Sequence, residues 1–572
     1  MKRKVIAIVL VVAMIMSLTA CRSSSNQSKG SSGNVAPTTS EGEELEDVTL
    51  NVFMDLGSTL SSGIQSDPVA EYIKEKTGVT LNLEGFDNQK ESVMVASGDL
   101  YDVTIIDQPA YIPPLISSGS VADLSDWIQY APNVTESSQA SLKYSKEFLS
   151  DESGKLFVLP MRTKAEAVPS ARDMDGNFVR WDHYVEAGSP AINSIDDLLD
   201  LLETIQKNHP ETDSGQKTYA VSQWSDWGRG SFESQLSKYL GKTGIPLFSS
   251  YDTDDLEYHD LFDDENLYLA YAKYMFNANQ RGILDPEAFI QRHEDYNAKL
   301  QDGRVLSTMY QWEINGINNE LVNSGKAGFV DIPFADTKEY PAKIKCVAPF
   351  GYRQRLLVVS SKCDDKKMRA IMRLIDFVYS EKGARTIVNG PEGITWEIDD
   401  KGVANFTEET LKAQRADPTY LSTQGAKYYQ GIIGLDYDLY DSTGKRFYDL
   451  TLNSDYIKDA LNDYEKEYCK FYGIDVPLDV MTERKNQSVD NRAYEMLMPS
   501  EHPTDISRST TSIEAYMEQQ LPGLIMSKNQ EEYDVKLAEI REKLKSMDYD
   551  TTNAYYREAF KNAVVTYDKL MK

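Results

Sequence analysis

The chain has 572 residues, 26% charged and 41% hydrophobic, with a formal net charge of −30. So acidic a chain argues against nucleic acid and other polyanions as partners, because phosphate binding relies on a positive face. Its four cysteines form no C-x-x-C, so neither a zinc nor a dithiol redox site is indicated; a Cys346–Cys363 disulfide and free thiols are equally open.

Taken in chain order, Lys2, Arg3 and Lys4 precede an uncharged apolar run, Val5 to Leu18, which has the make-up of a signal-peptide core and is short for a membrane span. Leu18-Thr-Ala-Cys21 closes it and resembles a bacterial lipobox. That resemblance implies removal of residues 1–20, lipidation of Cys21 and anchoring by acyl chains alone. The Ser-, Gly- and Pro-rich stretch up to residue 46 reads as a disordered tether. Val48 to Met54 alternates as a strand and ends at Asp55. Asp67-Pro68 opens a helix that Gly78 stops. Val79–Leu83 is a strand, Lys90–Ser97 a helix, and Tyr101–Ile106 a buried strand delivering Asp107. Strand–helix–strand–helix–strand with short turns predicts an open parallel α/β sheet, in which ligands sit beyond the carboxyl ends of the strands. Asp55 and Asp107 are placed there.

Further on, Ser194–Leu202, Asp264–Asn279 and Pro286–Leu300 read as helices, and Thr218–Ser222 and Val305–Tyr310 as strands. Gln223-Trp224-Ser-Asp-Trp227 follows one strand and Gln311-Trp312-Glu313 the other. The tail from Asn405 is acidic, Tyr-rich and mainly helical, for example over Asp455–Phe471 and Gln530–Met547.

Several stretches resemble one family in order. They are Pro68-Val-Ala-Glu-Tyr-Ile-Lys-Glu-Lys-Thr-Gly-Val-Thr80, Val95-Ala-Ser-Gly-Asp-Leu-Tyr-Asp-Val103, Gly119-Ser-Val-Ala-Asp-Leu-Ser-Asp126 and Gly154-Lys-Leu-Phe-Val-Leu-Pro160, then Arg373–Gly383 and Gly390-Pro-Glu-Gly-Ile-Thr-Trp396. The family is the extracellular solute-binding proteins of ABC importers, family 1, lipoprotein type, with carbohydrate-binding members. The resemblance implies a type II periplasmic-binding-protein-like α/β fold: two lobes, a hinge and a ligand cleft. The implied division is 47–161 and 354–400 for the first lobe, 162–353 and 401–572 for the second.

A sugar offers apolar C–H faces and a hydroxyl rim, which call for aromatic rings and for carboxylates or Arg. The 35 Tyr and 6 Trp suit that use. Trp224, Trp227, Trp312 and Trp396 are the stacking candidates; in maltose-binding-type relatives the strand resembling Val305–Tyr310 also ends in a ligand-stacking Trp. Asp55, Asp107, Arg162, Glu313, Arg353 and Glu392 are the polar candidates, and Tyr352 could serve both ends. Core roles for Trp396 and helix-capping roles for Asp55 and Asp107 compete with these. No cofactor is implied. Glu211–Lys217 departs from the calcium loop some members carry, with too few side-chain oxygens. No H-E-x-x-H, G-x-S-x-G or P-loop is present. The resemblance thus implies a non-enzymatic monomeric receptor on the outer face of the membrane, handing a soluble saccharide to separate permease subunits. A surface glycosidase or adhesin, or a peptide receptor of the same fold, is the competing reading.

Overall fold

The computed structural model describes residues 45–572 except 57–59, 165–167, 170–174, 233, 336–343, 348, 353–354, 483–487, 490 and 498–501. Residues 46–572 form one compact unit. Cys21 and Arg353 lie outside the described residues, as does the side chain of Cys346.

β1 (Val48–Met54) and β2 (Gly63–Ile64) precede α1 (Pro68–Thr77). Asp67 caps α1 by accepting from the Val69 and Ala70 N–H groups, and Gly78 ends it at φ 71, the left-handed conformation that glycine adopts without strain. β3 (Val79–Gly85), α2 (Asn88–Ser97), β4 (Val103–Ile106) and β5 (Val158–Pro160) follow. β1 pairs in parallel with both β3 and β4, as the alternation of short strands and helices predicts.

The middle of the chain builds a second, smaller sheet from β6 (Asp175–Arg180), β7 (Ser307–Tyr310) and β8 (Phe329–Asp331), all antiparallel, with β6 central. Helices α3 (Ile195–Asn208), α4 (Leu267–Gln280), α5 (His293–Gln301) and α6 (Gln311–Asn323) belong to this part. Two expectations fail here. Thr218–Ser222 makes only isolated bridges, Tyr219 to Val305 and Val221 to Leu284. The helix expected from Pro286 starts at His293, because Asp285 is turned inward to Ser222 and Lys299 and holds the preceding residues in a turn.

β9 (Leu356–Val359) returns to the first sheet antiparallel to both β4 and β5, giving the order β2-β3-β1-β4-β9-β5. α7 (Asp365–Val378) and α8 (Glu381–Asn389) cover it. β10 (Ala404–Phe406), α9 (Glu408–Ala416), α10 (Ser454–Ala460) and α11 (Asp463–Tyr472) come next. The helix expected over Asp455–Phe471 is broken, since Asn462 and Glu465 form a capping box that starts a new helix. Not all of the chain beyond 401 leaves the first sheet: Tyr429, Ile432, Ile433, Leu435 and Tyr448 are buried in the same core as β1 and α7, and the Lys427 and Gly434 N–H groups donate to Ile387 and Val378. Apolar side chains at these positions gain burial there, so the expected assignment of everything after 401 to the second lobe does not describe them. α12 (Thr504–Ile525), α13 (Gln530–Lys545) and α14 (Tyr549–Leu570) follow and join a core that holds residues of both parts, Ile106 and Val158 from the first sheet and Val179 and Leu199 from the second part among them. Among the described residues no helix is long and apolar enough to cross a membrane.

Candidate functional site

The structure gathers the candidates into two groups. The first is aromatic. β7 delivers Tyr310, and the chain turns at once into α6, so Trp312 stands in the first turn of a helix rather than at a strand end. The rings of Trp312 and Trp227 are 6.2 Å apart and 21° from parallel, and Tyr310 lies 5.4 Å from Trp312 at 27°. Both indoles are open, Trp227 at 41% and Trp312 at 39% exposure. Trp224 is fully buried beneath them, against Trp227 edge-on at 4.9 Å and Tyr296 at 4.6 Å. It is therefore a support of the platform, not a stacking surface. Glu313 is corrected likewise. Its buried carboxylate accepts from Thr308 and sits 2.8 Å from His293 Nε2. His293 in turn packs 4.6 Å from Trp227 and 5.3 Å from Trp312. Glu313 thus sets the ring that the two indoles lean on.

The second group is polar and lies where β5 leaves the first sheet. Arg162 has φ 56, in the left-handed region, a strained conformation for a residue with a side chain. Its N–H is held by the Ile433 carbonyl at 3.0 Å. The guanidinium lies over Tyr437 at 4.5 Å and Tyr352 at 5.7 Å. It donates to Asp436 at 3.1 Å and is 3.9 Å from Asp438. Lys164, itself buried, is 3.4 Å from Asp436. Burial opposes charge on Arg162, but Asp436, Tyr437 and Asp438 outweigh it and raise its pKa. Burial likewise opposes the Asp436 carboxylate, and Arg162 and Lys164 hold it well below its usual range. Tyr352 is 45% exposed.

Asp55 and Asp107 sit at the carboxyl ends of β1 and β4, as expected. Asp55 is exposed, 3.9 Å from Arg355 Nη2. Asp107 is half-buried, and burial, reinforced by Asp55 against the pull of Arg355, raises its pKa. Its N–H donates to the buried Glu91 at 2.9 Å. Arg355, which donates to the Gln430 carbonyl at 2.8 Å, was missed in favour of Arg353. It immediately precedes β9, whose antiparallel register sets Leu356 opposite Ile106 and so puts Arg355 beside Asp107. Asp436 and Tyr437 were also missed; the acidic-aromatic run Asp436-Tyr-Asp438 was their one visible signal.

Two candidates belong to neither group. Glu392 accepts from the Tyr72 hydroxyl at 3.0 Å and pairs with Lys382 at 2.7 Å, which tie it to α1 and α8. Trp396 is fully buried among Ala404, Phe406 and Leu450, and its Nε1–H donates to the Gly390 carbonyl at 2.8 Å. It is a core residue.

Among the described residues, two overlapping sets could hold a metal ion: Asp252, His259 and Glu265, and Asp252, Asp255 and Glu257. Lys242 already places its ammonium 2.6 Å from Asp252 and 3.7 Å from Glu265, so the first set has a cation of its own. At Glu211–Lys217 the ends pair as a bridge and Asp213 is 2.5 Å from Lys326, a plain turn. Cys363 is a free thiol beside Asp102, pushed up to about 12 chiefly by burial.

The two sheets, the crossings between them and the groups beside those crossings define a two-lobed α/β protein of the type II periplasmic-binding kind. Solved structures share this fold over nearly the whole chain. An alginate-binding protein, AlgQ2, is 16% identical with a TM-score of 0.57, covering 90% of this chain and 98% of that one. FusA of Streptococcus pneumoniae, an ABC-transporter substrate-binding protein in complex with kestose, is 15% identical at 0.57, over 91% and 99%. An extracellular solute-binding protein of Bifidobacterium longum subsp. infantis is 14% identical at 0.57, over 92% and 100%. A curated relative also aligns by sequence: the fructooligosaccharide ABC transporter substrate-binding protein FusA of Streptococcus pneumoniae serotype 4, 22% identical over 285 residues, 46% of this chain and 50% of that protein. The match spans about half the length of that relative. These are the kind of protein that the ordered motifs resemble. No family model matches the chain.

Proposed function

We propose that this chain is the substrate-binding lipoprotein of an ABC importer, capturing an extracellular oligosaccharide and delivering it to a membrane permease. The observation that carries the reading is the pair of exposed, nearly parallel indoles of Trp227 and Trp312. Such rings present flat apolar faces that match the C–H faces of a sugar. Arg162, Tyr352, Asp55, Asp107 and Arg355 supply the hydroxyl-pairing edge. The ligands of the similar proteins, fructooligosaccharide, kestose and alginate, support it.

In this reading Cys21 carries the acyl anchor, the protein works as a monomer outside the cell, and permease and ATPase are separate chains. The first lobe comprises the six-stranded sheet with residues up to about 450 that join its core; the second comprises the β6–β7–β8 sheet and the terminal helices. Contacts made by both lobes favour the closed state, and no bond in the ligand is broken. A thermal-shift screen of residues 46–572 against oligosaccharides and peptides tests this. Stabilisation that grows with saccharide concentration is expected. Stabilisation by peptides alone would discard the saccharide assignment while keeping the receptor, and cleavage of a stabilising sugar would replace the receptor by a glycosidase.

A further inference from the structure

α6 carries more than Trp312. Gln311, Asn315 and Asn319 recur every fourth residue, so they stand in a row along one face of the helix. None of the three side chains has a hydrogen-bond partner among the described residues. Asn318, by contrast, is spent on the Phe329 backbone, which it meets with both its oxygen and its nitrogen.

The row lines a cavity of about 370 Å³, whose other side includes Leu452, Ile457 and Tyr464. Asn319 also lines a second, open cavity, of about 590 Å³, bordered by β10, α9 and α10. There Phe406 and Tyr456 pack with ring centres 5.3 Å apart. Gln414 donates to the Tyr456 hydroxyl at 3.0 Å, and its own Oε1 is buried without a partner. Arg446, also on the wall, is committed to Asp455 at 2.6 Å and Asn405 at 2.7 Å, and Arg415 lies 3.7 Å from Asp459, so both guanidinium groups on the wall already face a carboxylate. Amides that each present a donor and an acceptor, with aromatic rings beside them, match adjacent hydroxyls and sugar C–H faces. Seven residues of helix, about 10 Å, separate Trp312 from Asn319. A ligand reaching from the platform to the second cavity must therefore be a chain of sugars rather than a single ring.

We propose that Gln311, Asn315, Asn319 and the cavity beyond them form a second saccharide subsite, occupied by the far end of an oligosaccharide whose near end stacks on Trp227 and Trp312. This rests on the saccharide reading and deepens it by making chain length a determinant of affinity. The test is calorimetric titration of the full chain with fructo-, manno- and xylo-oligosaccharides, each as a trimer and an octamer. For the series that binds, the octamer should bind more tightly than the trimer. Asn315→Ala/Asn319→Ala should weaken the octamer about five-fold, the worth of about one net hydrogen bond, and leave the trimer unchanged. Asn319→Trp, which puts a bulky ring where the two cavities share a wall residue, should do the same, whereas Trp312→Ala should weaken both lengths alike. Unchanged octamer affinity in both asparagine variants, or equal loss on both lengths, would overturn the subsite and leave the saccharide reading standing. Failure of every series to bind the unaltered chain would overturn both.

Discussion

Replacing Trp312 by Ala removes one of the two open rings while disturbing little of the core. The indole is 39% exposed. Of the roughly 250 Å² that a Trp can bury, about 100 Å² is thus free to be covered by a ligand. At about 25 cal/mol per Å², complete coverage is worth about 2.5 kcal/mol, and partial coverage about half that. The Trp312→Ala variant should therefore bind the saccharide that most stabilises the unaltered chain about ten- to sixty-fold more weakly by calorimetric titration. His293, Tyr310 and Trp227 each lose a ring neighbour, at 5.3, 5.4 and 6.2 Å, so the thermal midpoint without ligand should fall by no more than about 4 °C. Unchanged affinity in a folded variant would refute the assignment of this surface to ligand stacking. A large fall in the midpoint would show instead that the ring is part of the core.

Three further outcomes follow from the geometry. Asp436→Asn removes the carboxylate facing Arg162 and the buried Lys164 and should cost about 3 kcal/mol in denaturant unfolding, because a buried ammonium loses its carboxylate and Arg162 keeps only Asp438 at 3.9 Å; a loss below about 1 kcal/mol would contradict a buried ion network. Trp396→Phe leaves the Gly390 carbonyl without its donor and should lower stability by about 1–3 kcal/mol with saccharide affinity intact; weakened binding in a fully folded variant would return Trp396 to the site. His183 is held well below its ordinary value of 6.5, chiefly by burial and then by Arg180. Its neutral form is the one that the fold accepts, so its contribution is complete above pH 6.5 and is lost as pH falls below it; His183→Gln should flatten the fall of the thermal midpoint with pH in that range, and an unchanged slope would contradict this.

The local elements of the first lobe were readable because their causes are local. Alternation marks β1, and Asp67, Pro68 and Gly78 mark both ends of α1. The platform was half readable: Trp227 and Trp312 stand near polar turn residues, whereas the burial of Trp224 depends on Tyr296 and His293, about 70 residues away in sequence. Glu313 next to an exposed Trp reads as a ligand group, and only the packing of α5 against α6 turns it inward to His293. The partners of Arg162 lie 274 residues further on at Asp436, and a single sequence carries no signal of that pairing. Arg355 needed the antiparallel direction of β9, which strand propensity does not encode.

The central claim is that a saccharide is gripped between two lobes and released unaltered. Small-angle X-ray scattering of residues 46–572 during titration with the stabilising saccharide tests it most directly. The account predicts a saturable decrease in radius of gyration as the lobes close, with the sugar recovered intact by mass spectrometry. An unchanged radius at saturation, or recovery of shortened sugar, would contradict it.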